Sequence, residues 1–97
     1  MRIISIKKLK DFWEKNPKAE KQLRAWYADA KQAHWKSPDI IKQIYRNASI
    51  VGNNRVVFNI HGNSYRLVVA INYFYSIVYV RFIGTHAEYD KIDVKKI

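Results

Sequence analysis

The sequence has no cysteine, no long apolar run and few acidic side chains among its 97 residues. Without cysteine the chain can form neither disulfide bonds nor thiolate zinc sites, and no two of its three histidines are spaced i, i+4, which argues against a metal site. No apolar run approaches the roughly 20 residues that cross a bilayer, so we expect a soluble protein with no membrane partner. Residues 1–8 lack the apolar segment and small-residue cleavage site of a secretory signal, so the default expectation is a cytoplasmic protein.

The shortage of acidic residues leaves a strong positive charge. Eighteen lysines and arginines stand against eight aspartates and glutamates, which gives a formal net charge of +10. A charge of this size on a small domain favours a polyanionic partner such as nucleic acid. The alternative is a basic protein that has no such partner. A membrane surface is disfavoured, because basic and acidic residues alternate in the first half of the chain.

The first half of the chain has the apolar periodicity of helices that pack on a core. A short edge strand is expected over residues 1–4. Ser5 is expected to cap a first helix that ends before Asn16. Asn16 and Pro17 then cap and begin a long second helix, and Pro38 begins a short third one.

The second half of the chain has the pattern of strands. From about Ala48 the apolar period changes from near 3.6 to 2, and β-branched and aromatic residues dominate. A first hairpin is expected around Gly62, and a second, through residues 72–76, leads to a last strand over residues 77–83. The sequence therefore predicts an α+β fold in a single domain, residues 1–97, with N-terminal helices packed on one face of a small antiparallel β-sheet.

The turn at Gly62 determines which residues share a sheet face. With Gly62 and Asn63 as a two-residue type II′ loop, His61 opposes Ser64 and the pairs continue outwards from there. The apolar positions of both strands then lie on the face that packs on the helices: Val56, Phe58, Ile60, Tyr65, Leu67, Val69 and Ile71. In the last strand, alternation places Val78, Val80 and Phe82 on the core side and Tyr79, Arg81 and Ile83 on the other.

Two isolated arginines interrupt the apolar strands. Arg66 and Arg81 must point away from the core, because a strand interior tolerates a charge only where it faces solvent or a partner. With Asn59 they are expected to form one polar stripe, and His61 is expected on the same face. Two guanidinium groups on one face would make an anion site, and phosphate is the anion that a bidentate arginine suits best.

Further chemistry-bearing side chains follow directly after the last strand. Thr85 is expected to cap a short turn of helix that stands beside the polar stripe. The turn carries His86, Glu88, Tyr89 and Asp90. Because an arginine pair, a histidine and a tyrosine would then lie close together, this end of the sheet is the candidate site.

These segments resemble the signatures of a known family. Residues 57–67 (VFNIHGNSYRL) and 81–92 (RFIGTHAEYDKI) are similar to the HigB toxin family, and the helical half, with WKSP at residues 35–38, is similar too. The resemblance implies a RelE-like toxin, a small α+β fold with helices on one side of an antiparallel sheet. It also implies the toxin of a type II toxin–antitoxin pair, which cleaves messenger RNA on the translating ribosome without a metal ion or other cofactor. Its implied partners are that messenger RNA and a HigA-type antitoxin with a helix-turn-helix domain. We expect ribosomal RNA to engage the lysine-rich helices.

RNA cleavage of this kind assigns roles to the candidate residues. The neighbouring 2′-OH attacks phosphorus, so the site must remove a proton, neutralise the phosphoryl oxygens and protonate the departing 5′-oxygen. Arg66 and Arg81 suit neutralisation, and His86 suits general acid or base because histidine is the residue type that can exchange a proton near neutral pH. Tyr89 would stack on a base or share the proton transfer. The residues expected to bind RNA around this catalytic group are Asn59, His61, Lys36, Arg55 and Lys91.

Each assignment has a structural alternative. The arginines could be merely solvated, His86 could bond backbone groups at a helix end, and Tyr89 could be a half-buried core residue with a solvated hydroxyl. His61 could be a turn residue, and Asn59 could pair across the strands. Asp90 could cap or orient a neighbour, or it could titrate in catalysis. Trp35, at a helix end, could anchor RNA or antitoxin. Two other functions also stay open: a non-catalytic RNA-binding module, and an inactive toxin that only binds its antitoxin or regulates.

Overall fold

The computed structural model describes all residues, 1–97, and shows four α-helices and one five-stranded sheet. The strands are β1 Arg2–Ile4, β2 Ser49–Val51, β3 Arg55–Ile60, β4 Tyr65–Asn72 and β5 Ile77–Thr85. The helices are α1 Lys7–Lys15, α2 Glu20–Gln32, α3 Pro38–Ile44 and α4 His86–Tyr89, with a 3₁₀ turn at Pro17–Ala19 before α2. None of these helices has the length and apolar character that crossing a bilayer requires.

The strands lie in the order β1-β5-β4-β3-β2. The run from β2 to β5 is antiparallel, as expected, whereas β1 pairs parallel with β5, so the sheet is mixed. Pairing of β1 reaches only from Ile77 to Tyr79 of β5. The predicted α+β architecture is confirmed, with β1 as the expected edge strand.

The helix boundaries follow the prolines, but the expected caps differ. Ser5 has a positive φ of 70° and makes no cap, because Ile6 occupies the N-cap position of α1. The Asn16 side chain turns back to donate to the Phe12 carbonyl at 3.1 Å and so closes α1 instead of capping the next helix. Pro38 begins α3, as predicted.

The hydrophobic core lies between the helices and one face of the sheet. At its centre the Phe58 ring is 5.5 Å from Trp26, 5.9 Å from Trp35 and 5.0 Å from Tyr45, measured between ring centroids. Trp35 is only 2% exposed. It is therefore a core residue, and the surface-anchor hypothesis for this side chain is wrong. The signal was weak because Trp35 lies in the α2–α3 connection, outside any periodic pattern.

The β3–β4 hairpin has the predicted register. Asn59 opposes Arg66 and Phe58 opposes Leu67, and the apolar positions of both strands face the helices. The Ser64 N–H donates to the His61 carbonyl at 3.2 Å around Gly62, whose φ is +63°. His61 itself has a φ of 53°, so strand pairing ends one residue earlier than expected, at Ile60.

A β-bulge changes the pattern of the last strand. Val69 opposes Val80 and Val68 opposes Phe82, so Arg81 is an extra residue with no partner on β4. Beyond the bulge the alternation reverses. Ile83 packs against the core and Phe82 lies on the opposite face, so the predicted faces of these two residues were wrong. Strand β5 also continues through Gly84 to Thr85, past the expected break.

The segment after α4 returns across the face of the sheet that points away from the helices. It begins at the β3–β4 hairpin end and reaches the β2–β3 turn at the other end, where Asn53 Nδ2 donates to the Lys95 carbonyl at 3.1 Å. Val57 and Val68, which point to this face, are buried, with exposures of 2% and 0%. The polar stripe expected on this face is therefore not continuous.

Candidate functional site

Helix α4 is a single turn held by a reciprocal capping box. Thr85 Oγ1 accepts from the Glu88 N–H at 3.2 Å, and Glu88 Oε1 accepts from the Thr85 N–H at 2.9 Å. The hydrogen bonds from Thr85, the backbone one first, lower the pKa of the Glu88 carboxyl. As predicted, Thr85 caps the turn, and it positions the side chains of His86 and Tyr89 at the end of β5.

The histidine of this turn has a carboxylate partner. His86 Nδ1 lies 3.1 Å from Asp90 Oδ2, and the His86 and Tyr89 ring centroids are 6.5 Å apart. A carboxylate can only accept, so Nδ1 carries the proton and Nε2 stays free. Asp90 was expected either to cap or orient a neighbour or to titrate in catalysis, and its contact with Nδ1 matches the orientation of a neighbour. The i, i+4 spacing of the two residues on a helix was the signal for this contact.

Arg66 joins this group from the neighbouring strand. Its guanidinium carbon is 6.0 Å from the centroid of the Tyr89 ring, a cation–π distance. Its Nη1 donates to the carbonyls of Asn63 at 3.1 Å and Tyr65 at 3.3 Å. These bonds fix the position of Nη1. Nε and Nη2 make no hydrogen bond within the chain, so these two nitrogens are free to donate to an anion.

Gly84 lets the floor of the site pack closely. It lies opposite Arg66 in the sheet, and a Cβ at this position would be 2.5 Å from Phe82 Cζ and 3.2 Å from Glu88 Oε1. The Phe82 ring therefore occupies the space that a side chain at position 84 would fill. Our sequence reasoning missed this supporting contact, although a glycine inside a strand is a known sign of close approach.

Arg81 is separate from this group. Its guanidinium carbon lies 5.2 Å from the centroid of the Tyr79 ring, towards the other end of β5, and Val68 and Phe82 lie between it and Arg66 on the sheet. The two guanidinium groups rest on different tyrosines, so the arrangement expected of them as one paired anion site is wrong. The bulge is the physical reason, because alternation cannot be extended through an inserted residue.

The residues expected to bind RNA are in different places. Asn59 is half-buried directly opposite Arg66, and Lys91 is exposed just after α4, so both border the site. His61 does not share their face: its N–H donates to Gln22 Oε1 of α2, and its ring is 6.1 Å from Tyr65, which packs against the core. Lys36 is exposed in the α2–α3 connection on the helical side.

Arg55 has a structural partner. Its Nε donates to the Ile97 carbonyl at 2.9 Å, its Nη2 bonds the same oxygen, and its Nη1 donates to the Asn53 carbonyl at 2.8 Å. These contacts hold the guanidinium against the C-terminal segment and the β2–β3 turn, and they use three of its five N–H donors. No group of three or more His, Asp or Glu side chains is placed to hold a metal ion.

The site can therefore be described as Arg66, His86, Tyr89 and Asp90, with Asn59 and Lys91 at its border. It combines a guanidinium with free donors, an imidazole with one free nitrogen and the phenol of a half-buried tyrosine. Such a group can neutralise an oxyanion and move a proton beside it.

Comparison with known proteins gives a consistent family. Residues 19–92 match the HigB toxin family, described as the RelE-like toxic component of a toxin–antitoxin system. The chain is 30% identical over 92 residues to the mRNA interferase toxin HigB of Escherichia coli K12. This alignment covers 93% of this chain and 88% of that protein. The mRNA interferases HigB of Escherichia coli O157:H7 and Shigella flexneri match to the same extent. The fold, the sequence signatures and these relatives together show that the chain belongs to the HigB toxin family of RelE-like toxins.

Proposed function

We propose that this protein is an endoribonuclease that cuts messenger RNA on the ribosome, as the toxin of a type II pair. The observation that carries the proposal is the grouping of Arg66, His86 and Tyr89 at one end of the sheet, with Asp90 behind the histidine. The names of the relatives, which are mRNA interferases, support it. The net charge of +10 supports a polyanionic substrate.

The proposed reaction uses the RNA's own 2′-OH as the nucleophile. The 2′-oxygen attacks the adjacent phosphorus, the bond from phosphorus to the 5′-oxygen breaks, and the products are a 2′,3′-cyclic phosphate and a free 5′-OH. His86 Nε2, left free by the bond from Nδ1 to Asp90, takes or supplies the proton. Tyr89 is proposed as the partner in this proton transfer or as a platform on which a base stacks.

Arg66 is proposed to stabilise the charge that develops on the phosphoryl oxygens. Its free Nε and Nη2 form a planar pair of donors, and the group stays charged at any working pH. Arg81 is proposed to bind a phosphate further along the RNA, because its guanidinium makes no hydrogen bond in the chain and lies apart from His86. Asn59 and Lys91 are proposed to contact the RNA at the border of the site. His61 and Lys36, which lie elsewhere, are left as more distant contacts.

The proposed partners follow from the family. We infer a HigA-type helix-turn-helix antitoxin, and action in the cytoplasm, where the ribosome presents the messenger. Ribosomal RNA would meet the exposed Lys18 and Lys21. Arg24 and Lys31 are less free, because Arg24 bonds Glu20 at 2.8 Å and Lys31 lies over the Tyr27 ring. The proposed reaction needs no metal ion or other cofactor, since the 2′-OH is the nucleophile.

Primer extension on a translated messenger tests the proposal. We would compare wild-type protein with His86→Ala and Arg66→Ala, each with and without ribosomes. Matched controls are His34→Ala and Arg2→Ala, which remove an exposed histidine and an exposed arginine on the helical side and on β1. Cuts that require ribosomes, persist in both controls and fall about 10²- to 10⁴-fold in His86→Ala are expected. No cut by folded wild-type protein would favour the RNA-binding or regulatory alternative.

A further inference from the structure

The turn between β4 and β5 exposes two aromatic rings to solvent. Phe74 is 87% exposed and Tyr75 is 69% exposed, and they are the two most exposed large hydrophobic side chains of the molecule. Their rings pack edge to face with centroids 4.9 Å apart. Single hydrophobic side chains are commonly exposed on protein surfaces, whereas contiguous exposed ones mark contact surfaces. The adjacent rings of Phe74 and Tyr75 therefore indicate a contact surface.

The turn is ordered by its own hydrogen bonds. Asn72 Oδ1 accepts from the Tyr75 N–H at 2.9 Å, and the Ser76 carbonyl accepts from the Arg2 N–H of β1 at 2.9 Å. Ser76 adopts a left-handed φ of 58°, which completes the reversal of the chain. The rings are therefore presented by a defined backbone, which lowers the conformational cost of stacking a ligand on them.

A groove of about 450 Å³ lies beside the exposed rings. Its polar and aromatic lining consists of Asn53, Asn54, Arg55, Asn72, Tyr73, Phe74, Tyr79 and Arg81. None of its lining residues is acidic. The Arg81 guanidinium carbon lies 5.2 Å from the centroid of the Tyr79 ring. Arg55 adds a second positive charge to the groove, although three of its five N–H donors are used within the chain. Burial raises the pKa of the Tyr73 hydroxyl, so this side chain stays neutral at working pH.

These features match the chemistry of single-stranded nucleic acid. Single strands bind by stacking bases on aromatic side chains while cations follow the phosphates, and arginine adds cation–π contacts. The asparagine amides at the groove can donate to and accept from base edges. An acidic protein segment would use the arginines but leave the exposed π faces of Phe74 and Tyr75 without a specific partner.

We propose that this groove is a second single-stranded RNA site, in which a base stacks on the Phe74–Tyr75 pair and Arg81 binds the neighbouring phosphate. This second site rests on the proposed RNA substrate. It assigns Arg81, at the bulge of β5, to binding a phosphate outside the reaction site. Six residues of β5 lie between Tyr79 and His86, which is about 20 Å of strand. The RNA would therefore run along β5 from the reaction site to the aromatic pair.

Binding of an uncut RNA tests the second site apart from catalysis. The His86→Ala protein is titrated into a fluorescein-labelled, unstructured RNA of about 12 nucleotides, and Kd is read from anisotropy. Adding Phe74→Ala and Tyr75→Ala is expected to raise Kd about 10-fold, the loss of one stacked base. Phe74→Trp should keep the affinity, and its fluorescence should be quenched by RNA. Ile44→Ala, which removes a side chain that is 62% exposed on α3, is the matched control and should leave Kd unchanged.

The salt dependence separates stacking from general charge attraction. Arg81→Ala is expected to reduce the slope of log Kd against log salt by about 0.7, the value of one phosphate contact in a single strand. The aromatic double variant should weaken binding at every salt concentration without a change of slope. Equal Kd values for the aromatic double variant and its His86→Ala parent would overturn the proposal. This outcome would overturn it even if the double variant had lost affinity for an antitoxin. A failure of wild-type cleavage would leave these binding results standing, so the two proposals fail separately.

Discussion

His86 Nδ1 lies 3.1 Å from Asp90 Oδ2, one helical turn further along the chain. Both side chains are more than half exposed, so the pair adds little to the stability of the fold. Its effect is on orientation and tautomer: the carboxylate accepts the Nδ1 proton, which fixes the ring and leaves Nε2 without a partner in the chain. Asp90 is thus a positioning residue in the proposed site, and it acts through the imidazole.

Asp90→Asn should slow cleavage while leaving the fold unchanged. An asparagine can present either its oxygen or its nitrogen to Nδ1, so the imidazole loses its fixed tautomer. We expect the cleavage rate on ribosome-bound messenger to fall about 10-fold, less than in His86→Ala, with RNA affinity unchanged. The control is Asp93→Asn in the same segment, whose carboxylate lies 3.8 Å from Lys96 Nζ and accepts from the Lys95 N–H at 3.2 Å. Equal rates for Asp90→Asn and wild type would remove the positioning role.

Arg66→Lys separates charge from the planar arrangement of donors. Lysine keeps the positive charge but has neither the fork nor the flat face that lies near Tyr89. We expect the cleavage rate to fall about 10²-fold, the loss typical of one donor to a developing oxyanion, while RNA affinity changes little. Single-turnover cleavage and anisotropy measure the two quantities. A fully active Arg66→Lys protein would mean that only the charge matters, and Arg2→Lys controls for the exchange itself.

The capping box of α4 should loosen in acid. The Thr85 hydrogen bonds lower the pKa of Glu88 below its usual 4.5, so the carboxylate contributes in full above that value and its contribution is lost as the pH falls through the lowered pKa. The amide resonance of Thr85, followed by NMR, should titrate with a midpoint below 4.5. In Glu88→Gln, which still accepts from this amide but does not ionise, the titration should disappear. A midpoint above 4.5 in the wild type would contradict the capping geometry.

Tyr45 should make stability depend on pH in the alkaline range. Burial, and then Asp29, whose Oδ2 is 3.2 Å from the hydroxyl, raise the pKa of Tyr45 from 10.0 to about 12. Above pH 10 the unfolded chain gains ionisation that the folded chain resists, so this stabilisation is complete below pH 10 and is lost between 10 and 12. The free energy of unfolding of wild type minus that of Tyr45→Phe should therefore decline across this interval. A constant difference would show that Tyr45 titrates normally.

Local patterns predicted most of the fold because they reflect local physics. Gly62 predicted the pairing of Asn59 with Arg66, since a tight turn sets the register of both strands that leave it. The capped turn at Thr85 was also predicted, because threonine is a preferred N-cap residue. For the candidate site, the same reasoning predicted the end of β5 and the three side chains that meet there.

The errors came from features without a local signal. The extra residue at Arg81 reversed the faces of Phe82 and Ile83, because an inserted residue leaves no trace in an otherwise apolar strand. The return of the C-terminal segment, which engages Arg55 through Ile97, depends on contacts 42 residues apart. His61 changed sides because its backbone entered the left-handed region, which is uncommon for a residue with a side chain. These three features decide where the side chains of Arg81, Arg55 and His61 lie. The first of them is the reason why the anion site expected of Arg66 and Arg81 as a pair was wrong.

Gly84→Ala tests whether close packing under the site matters. The new Cβ would be 2.5 Å from Phe82 Cζ, so the ring must move, and we expect the free energy of unfolding to fall by about 1–3 kcal/mol. Because the same Cβ also crowds Glu88 Oε1 at 3.2 Å, the α4 cap should weaken and cleavage should fall too. Phe82→Leu replaces the ring that causes the clash with a shorter side chain. In a double-mutant cycle followed by urea unfolding, Phe82→Leu should cost less in the Gly84→Ala background than in wild type, with a coupling of about 1 kcal/mol. Additive costs would mean that the ring and the glycine do not interact, and that the strand tolerates a side chain opposite Arg66.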